Sequence, residues 1–376
     1  MTSTPAVSPT DSVSSVSLAE SNTRVSGKHK RIGWIDIGKG IGIILVSFGH
    51  LPNGVGNVVP TWLPAVNPAI DAIYFFHMPL FYFLGGLVFS ARKPFGKFIL
   101  RKMCTLIVPY YIFSAYMFVR EVIALREFGS QETTSLIKFL FYGDGLWFLW
   151  AYFCGEVLAY AIVRCSSSLQ HTHISIYIVS GLIFICISRY LRLSMNFVLP
   201  FQIIRGIEVA GFILIGIVAK PLLLAMTCMQ GWVLGAPVML IYVISSVGAL
   251  STRDAHPLFH GSMTLIALFS GVFAFVLLSI GVGRSRILEY IGRASIVFYA
   301  VNFLSMTVSK IVFFQLLHID GRTLSTPMQY IVGIVVTAVA LVVMWLINIF
   351  VQRWMWWSIG ASRPKKTTHM RVRTGQ

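Results

Sequence analysis

Of the chain's 376 residues, 56% are hydrophobic and only 11% are charged, against about 25% charged in ordinary soluble domains. A soluble fold of this length could not hide so much apolar surface, so the composition excludes one and points to helices embedded in lipid. The formal net charge of +17 is no nucleic-acid signature either, because the basic residues gather at the chain ends and in alternate loops, where they encode membrane topology.

Residues 1–27 are rich in Ser, Thr and Val and hold no aromatic residue. That composition predicts a disordered tail. With no apolar core behind a basic start, it is not read as a cleaved signal peptide. Folded structure is expected after the basic cluster Lys28, Lys30 and Arg31. Ten spans follow, at 32–52, 69–90, 99–119, 145–164, 173–190, 198–219, 228–250, 262–282, 287–314 and 328–352, each near the roughly 20 residues that cross a bilayer. The stretch 221–250 is long enough to hold a re-entrant or tilted piece. Polar punctuation separates the spans at Pro52-Asn53-Gly54, Gly143-Asp144-Gly145, Arg253-Asp254 and Asp320-Gly321-Arg322.

Placing the N-terminus inside puts nineteen Lys and Arg residues on the cytoplasmic side and seven outside, with Lys39, Arg205, Arg293 and Lys310 in spans. The opposite orientation would invert that bias. The expected fold is therefore an all-α integral membrane protein, a bundle of about ten transmembrane helices with both termini cytoplasmic. Its parts are a cytoplasmic tail (1–27), one multi-span domain (28–357) and a basic cytoplasmic tail (358–376). Trp354, Trp356 and Trp357 form an aromatic anchor at the last exit from the bilayer. The five cysteines contain no CxxC pair, so neither a disulfide framework nor a metal site is expected. Packing is the role assigned to them.

An ionisable residue inside a span is a functional hypothesis by default. In the first span Lys39 and His50 are eleven residues apart, close to three turns, so they share a face about 16 Å apart along the axis. Asp36 lies one turn before Lys39, within pairing reach, and Ser47 is near the same stripe. A cation at the inner mouth suits a phosphate-bearing donor, and a histidine further along suits general-base chemistry on a hydroxyl. Spacing alone leaves a plainer reading open, in which Asp36 and Lys39 pair near the interface and His50 caps the helix. His77, two residues before Pro79 in the second span, could line the same cavity or bond a neighbouring helix. Pro79 frees a backbone carbonyl that needs another partner. Arg205 and Glu208, one turn apart, read as an internal pair. Glu156 and Asn302 could line a cavity or join helices. No P-loop, dinucleotide fingerprint or nucleophile elbow is present.

These segments resemble the acyltransferase 3 family of membrane-bound O-acyltransferases, and within it the fucose 4-O-acetylase-like and exopolysaccharide O-acetyltransferase subgroup. The stretch from Arg31 through Trp34, Asp36 and Lys39 to His50 resembles the family's opening signature of a basic residue, ten intervening positions and a histidine. Phe76-His77-Met78-Pro79 with the following Leu-Phe-Tyr-Phe-Leu-Gly-Gly resembles its second-span motif, with Gly85 in place of the usual serine. Val108-Pro109-Tyr110-Tyr111 and Leu146-Trp147-Phe148-Leu149 resemble the third and fourth spans. Two departures stand out. The second arginine of an Arg-x-x-Arg pair before the third-span proline is Leu106 here, leaving Arg101 and Lys102 as a looser substitute. Gly292-Arg293-Ala294-Ser295 to Tyr299 fits the ninth span, but its frequent terminal histidine is Asn302.

The resemblance implies acetyl transfer from cytoplasmic acetyl-CoA, a donor substrate and not a permanently bound cofactor, to a sugar hydroxyl of a cell-surface or lipid-linked glycan. It implies catalytic roles for His50, Lys39 and Asp36, and donor-phosphate binding by Arg101 and Lys102. His77, Tyr74, Trp147, Glu156, Arg205 and Glu208 would line the substrate tunnel. Expected partners are acetyl-CoA, the glycan acceptor, the lipid bilayer and polysaccharide assembly machinery, with no nucleic acid and no metal. A multi-pass protein of a bacterial plasma (inner) membrane is the expected setting. Two alternatives remain at this stage: a transporter or flippase of a lipid-linked saccharide or small solute, and a non-catalytic member of a polysaccharide assembly complex.

Overall fold

The computed structural model describes residues 31–52, 63–115, 118–119, 137–143, 145–167, 173–195, 199–253 and 256–361. The tail expected over 1–27, Asn53-Gly54, most of the loop 120–144, Asp254 and the C-terminal residues from 362 onward lie outside them. The described residues from Gly33 onward form one compact unit.

This unit is built from α1 (Gly33–Gly49), α2 (Asn67–Val88), α3 (Phe95–Ala115), α4 (Trp147–Ser166), α5 (His173–Ser194), α6 (Ile203–Ala225), α7 (Cys228–Ser251), α8 (Pro257–Val282), α9 (Arg286–Arg293), α10 (Ser295–Leu316) and α11 (Thr326–Trp354). A π-helical turn interrupts α3 at Met103–Ile107, and another ends α10 at Ile311–Leu316. No strand occurs among the described residues. Nine of these helices are long and apolar enough to cross a membrane. With its 17 residues, α1 covers about 26 Å at 1.5 Å per residue, a little short of the roughly 30 Å hydrocarbon core, so nine of the ten expected spans are met among the described residues.

Burial sorts the helices. α1 packs against α2, α8, α9, α10 and α11, and α6 packs against α2, α4 and α5. α5, α7 and α11 turn most of their surface outward, where an all-round apolar surface suits lipid. α2 and α6 cross so closely that a Cβ on Gly86 would fall on the Ile213 carbonyl and 3.0 Å from the Gly216 Cα. Such small-residue crossings substitute for hydrophobic driving force inside a bilayer.

Several sequence expectations need correcting. α6 continues through Pro221 to Ala225, and α7 starts at Cys228 behind a Thr227–Gln230 capping box. The stretch 221–250 is thus a helix end, a tight connection and a full span, with no re-entrant piece. The ninth span does not start at 287. Arg286, Glu289 and Arg293 sit on the separate eight-residue helix α9, and the membrane helix begins at Ser295. A break at Ala294 keeps the Arg293–Glu289 pair, 3.5 Å apart with the Arg293 side chain 43% exposed, out of the apolar layer. α5 runs to Ser194, past the expected end at 190, so Arg192 as well as Arg189 is a helical residue. Of the cysteines only Cys154 is half-buried; Cys104, Cys165, Cys186 and Cys228 are exposed and do not serve internal packing.

Gly86→Leu should destabilise the protein by about 1–3 kcal/mol through overpacking, read as an earlier loss of the monodisperse peak on heating in detergent. Gly96→Ala, at a position with no neighbour within 4 Å, should stay within about 0.5 kcal/mol of wild type.

Candidate active site

The C-terminal end of α1 carries carbonyls that its own helix cannot satisfy. Two neighbouring helices meet them. Tyr74 of α2 donates its hydroxyl to the Gly49 carbonyl at 2.5 Å, and Lys310 of α10 donates its ammonium to the His50 carbonyl at 2.8 Å. A cation also suits the negative end of the helix dipole. Half a turn earlier, Asn302 Nδ2 donates to Ser47 Oγ at 2.6 Å, and Ser47 donates to the Ile43 carbonyl at 2.9 Å. Asn302 therefore joins helices and lines neither cavity described below. These contacts fix where His50 sits.

His50 opens onto a cavity of about 420 Å³ lined also by Tyr74, His77, Tyr82, Trp147, Arg189, Arg192, Arg205, Glu208 and Tyr299. His77 Nδ1 lies 3.0 Å from the Ile73 carbonyl. A carbonyl only accepts, so Nδ1 carries the proton and neutral His77 keeps its lone pair on Nε2. Its ring lies 5.1 Å from that of Tyr74. Pro79 and Phe75 line the same cavity, and Pro79 leaves the Phe75 carbonyl without its helical donor.

A second cavity, of about 140 Å³, adjoins the first. Lys39 and Ser295 are polar members of an otherwise largely apolar wall that includes Phe81, Leu106, Phe148 and Tyr152, and Met78 and Tyr299 line both cavities. Tyr152 also explains the glycine at position 85. Its hydroxyl occupies the place a Cβ there would take, so a serine would collide with it.

The expected site residues thus separate into groups. His50, Tyr74, His77, Trp147, Arg205 and Glu208 meet in the larger cavity, and Lys39 stands in the smaller one. Asp36 is buried near the start of α1 and lines neither. Glu156 also lines neither: its buried carboxylate pairs with Lys102 and feels the charges of Lys39 and Arg101. Arg101 is exposed. The internal Arg205–Glu208 pair is replaced by other partners. Glu208 is held by Arg189 at 3.0 Å and Arg192 at 2.8 Å, while the Arg205 guanidinium lies 4.0 Å from the centroid of the Trp147 ring.

Arg189, Arg192 and Lys310 are the site residues that sequence reasoning missed. The signal available was Glu208 itself, since a carboxylate inside a span requires a cationic partner, and Arg189 and Arg192 stand one turn apart at the close of the preceding span. Among the described residues no three His, Cys, Asp or Glu side chains converge as metal ligands.

A family model described as an acyltransferase domain matches residues 32–348 of the chain. Nodulation protein NolL of Sinorhizobium fredii (strain NBRC 101917 / NGR234) is 35% identical over 132 residues. That stretch covers 34% of this chain and 35% of NolL, so the chain spans about a third of the length of this relative. No solved structure matches.

Lys102→Met strands the Glu156 carboxylate and should destabilise the protein by about 3 kcal/mol, with Glu156→Gln in the same chain recovering most of that loss. Thermal unfolding of the two single variants and the double variant in detergent measures it. Equal losses that simply add would show that the pair has no structural role.

Proposed function

This chain belongs to the acyltransferase 3 family; we propose that it is a membrane acyltransferase that moves acetyl from cytoplasmic acetyl-CoA to a hydroxyl of a sugar in a cell-surface or lipid-linked glycan. The observation that carries this reading is the pair of adjoining cavities. Lys39 stands in one, His50 and His77 stand in the other, and Met78 and Tyr299 form part of both walls. Such a layout lets donor and acceptor approach from opposite ends of the bundle and meet at the waist.

The charge bias supports the direction, since Lys39 lies in the half of α1 nearer the strongly basic side and His50 follows its other end. At an axial separation of about 16 Å, Lys39 and His50 act on different parts of the substrates. The narrow, largely apolar Lys39 cavity suits a slender acyl-pantetheine arm. The coenzyme's phosphates stay outside it, near exposed Arg101 and half-exposed Lys102. Asp36, one turn from Lys39 and buried, sets the electrostatics of that entrance.

In the transfer step the acceptor oxygen bonds to the acetyl carbonyl carbon and its proton passes to the His50 imidazole. The carbon–sulfur bond breaks, the coenzyme leaves as the thiolate toward the Lys39 ammonium, and the proton held by His50 is returned through solvent to the thiolate, which restores the neutral imidazole. Lys310 and Tyr74 hold the end of α1 so that the imidazole stays at the cavity wall. His77, with its lone pair on Nε2, accepts a hydrogen bond from an acceptor hydroxyl and orients it.

Transfer of radiolabelled acetyl from acetyl-CoA to endogenous glycan, in membranes carrying each variant at equal abundance, tests the assignment. Removal of a general base lowers rates by roughly 10²–10⁴-fold, so His50→Ala should lose label to that extent. Lys39→Met should raise the donor KM more than it lowers kcat. Full transfer by His50→Ala would remove His50 from the chemistry.

A further inference from the structure

The His50 cavity carries more positive charge than proton transfer needs. Arg189, Arg192 and Arg205 line it against a single carboxylate, Glu208, so two positive charges remain uncompensated in its wall. Glu208 engages one nitrogen of each α5 guanidinium, Nη2 of Arg189 and Nη2 of Arg192. Arg189 Nε is buried with no hydrogen-bond partner. Arg205 is held by its face on Trp147 and has no ion pair among the described residues. Stacking a guanidinium by its face leaves its edge donors free for a planar or tetrahedral oxyanion. Cations inside a membrane bundle are costly unless something meets them, and here three arginines line one open cavity with a single carboxylate among them.

We propose that this cavity takes an acidic acceptor: an oxyanion on the saccharide or its lipid carrier, a carboxylate or a phosphate, binds between Arg189, Arg192 and Arg205 and presents a neighbouring hydroxyl to His50 and His77. The fate of that hydroxyl rests on the acetyl-transfer reading; the anion site does not. Glu208 acts as a placeholder that keeps two arginines in position when the site is empty. The donor's phosphates belong to the other end of the bundle, where Arg101, Lys102 and Lys39 gather around Glu156.

The test uses purified full-length protein in detergent and four probes: a glucuronic-acid oligosaccharide, its carboxyl-reduced neutral counterpart, a polyprenyl-phosphate-linked monosaccharide, and acetyl-CoA. Equilibrium binding should favour an acidic saccharide over the neutral one by roughly tenfold or more, the scale of a charge-assisted hydrogen bond, with the preference shrinking as salt rises. Whichever acidic probe binds more tightly identifies the oxyanion as glycan carboxylate or carrier phosphate. Arg192→Gln and Arg205→Gln should each weaken that binding, whereas Glu208→Gln should strengthen it by releasing both α5 guanidinium groups. A merely structural cluster would instead lose binding in all three variants alike. Should the Glu208 or Arg192 variant fail to fold, Arg205→Gln carries the test, because Arg205 has no carboxylate partner to strand. Equal binding of acidic and neutral saccharides, or loss of acetyl-CoA binding in Arg205→Gln with saccharide binding intact, overturns the proposal. Charge-selective binding without acetyl transfer to any probe would keep the anion site and sink the acetyl-transfer reading. Transfer to neutral acceptors as fast as to acidic ones would do the reverse.

Discussion

A helix that carries ionisable groups through the middle of a lipid-embedded bundle needs protein on every side, and α1 is built into that position. It touches five other helices, and its terminal carbonyls are met by a tyrosine from α2 and a lysine from α10. Individual polar contacts inside membrane proteins are worth only about 0.6 kcal/mol on average. Their consequence here is positional. With Gly49, His50 and Ser47 each tied to another helix, the imidazole of His50 cannot slide along or rotate about α1 without breaking several contacts at once. The neighbouring cavities then follow from where α2, α4, α6 and α10 must pass around it.

Charge is segregated along the same axis. One end holds Lys39, Arg101 and Lys102 around the buried Glu156; the other holds Arg189 and Arg192 on Glu208, with Arg205 on Trp147. Between them lies an aromatic waist, with Phe148 stacked on Tyr82 and on Tyr152. The two charged ends are thereby kept apart by an aromatic layer, and Met78 and Tyr299 belong to the walls of the cavities on both sides of it.

Much of this was legible in one dimension. Apolar runs near the length of a bilayer, broken by Gly, Pro and Asp, marked the spans. The spacing of Lys39 and His50 placed both on one face of the first helix. Pro79 signalled a cavity beside the second span, while the residues alone left His77 between that cavity and a neighbouring helix. The misreadings share a cause: hydropathy records how apolar a stretch is and not which face meets lipid. Arg192 fell outside the expected fifth span because two arginines are too polar for a lipid-facing helix end, yet Arg189 and Arg192 both turn inward to Glu208. Arg293 looked like part of a span because apolar residues surround it, yet a break at Ala294 lets α9 stand apart.

Sequence alone therefore determined the class of protein, most of its spans, the uneven charge of its loops and the placing of Lys39 within the first helix. Each of these depends on composition or on the fixed rise and pitch of a helix. Which carboxylate pairs with which arginine, that Lys102 serves Glu156, that Asn302 bonds Ser47 and that the Lys39 and His50 cavities share a wall were decided only by tertiary structure. Those facts depend on the rotation of each helix about its axis and on the crossings that glycines such as Gly86 permit, and helix rotation is set by packing against neighbours far away in the chain.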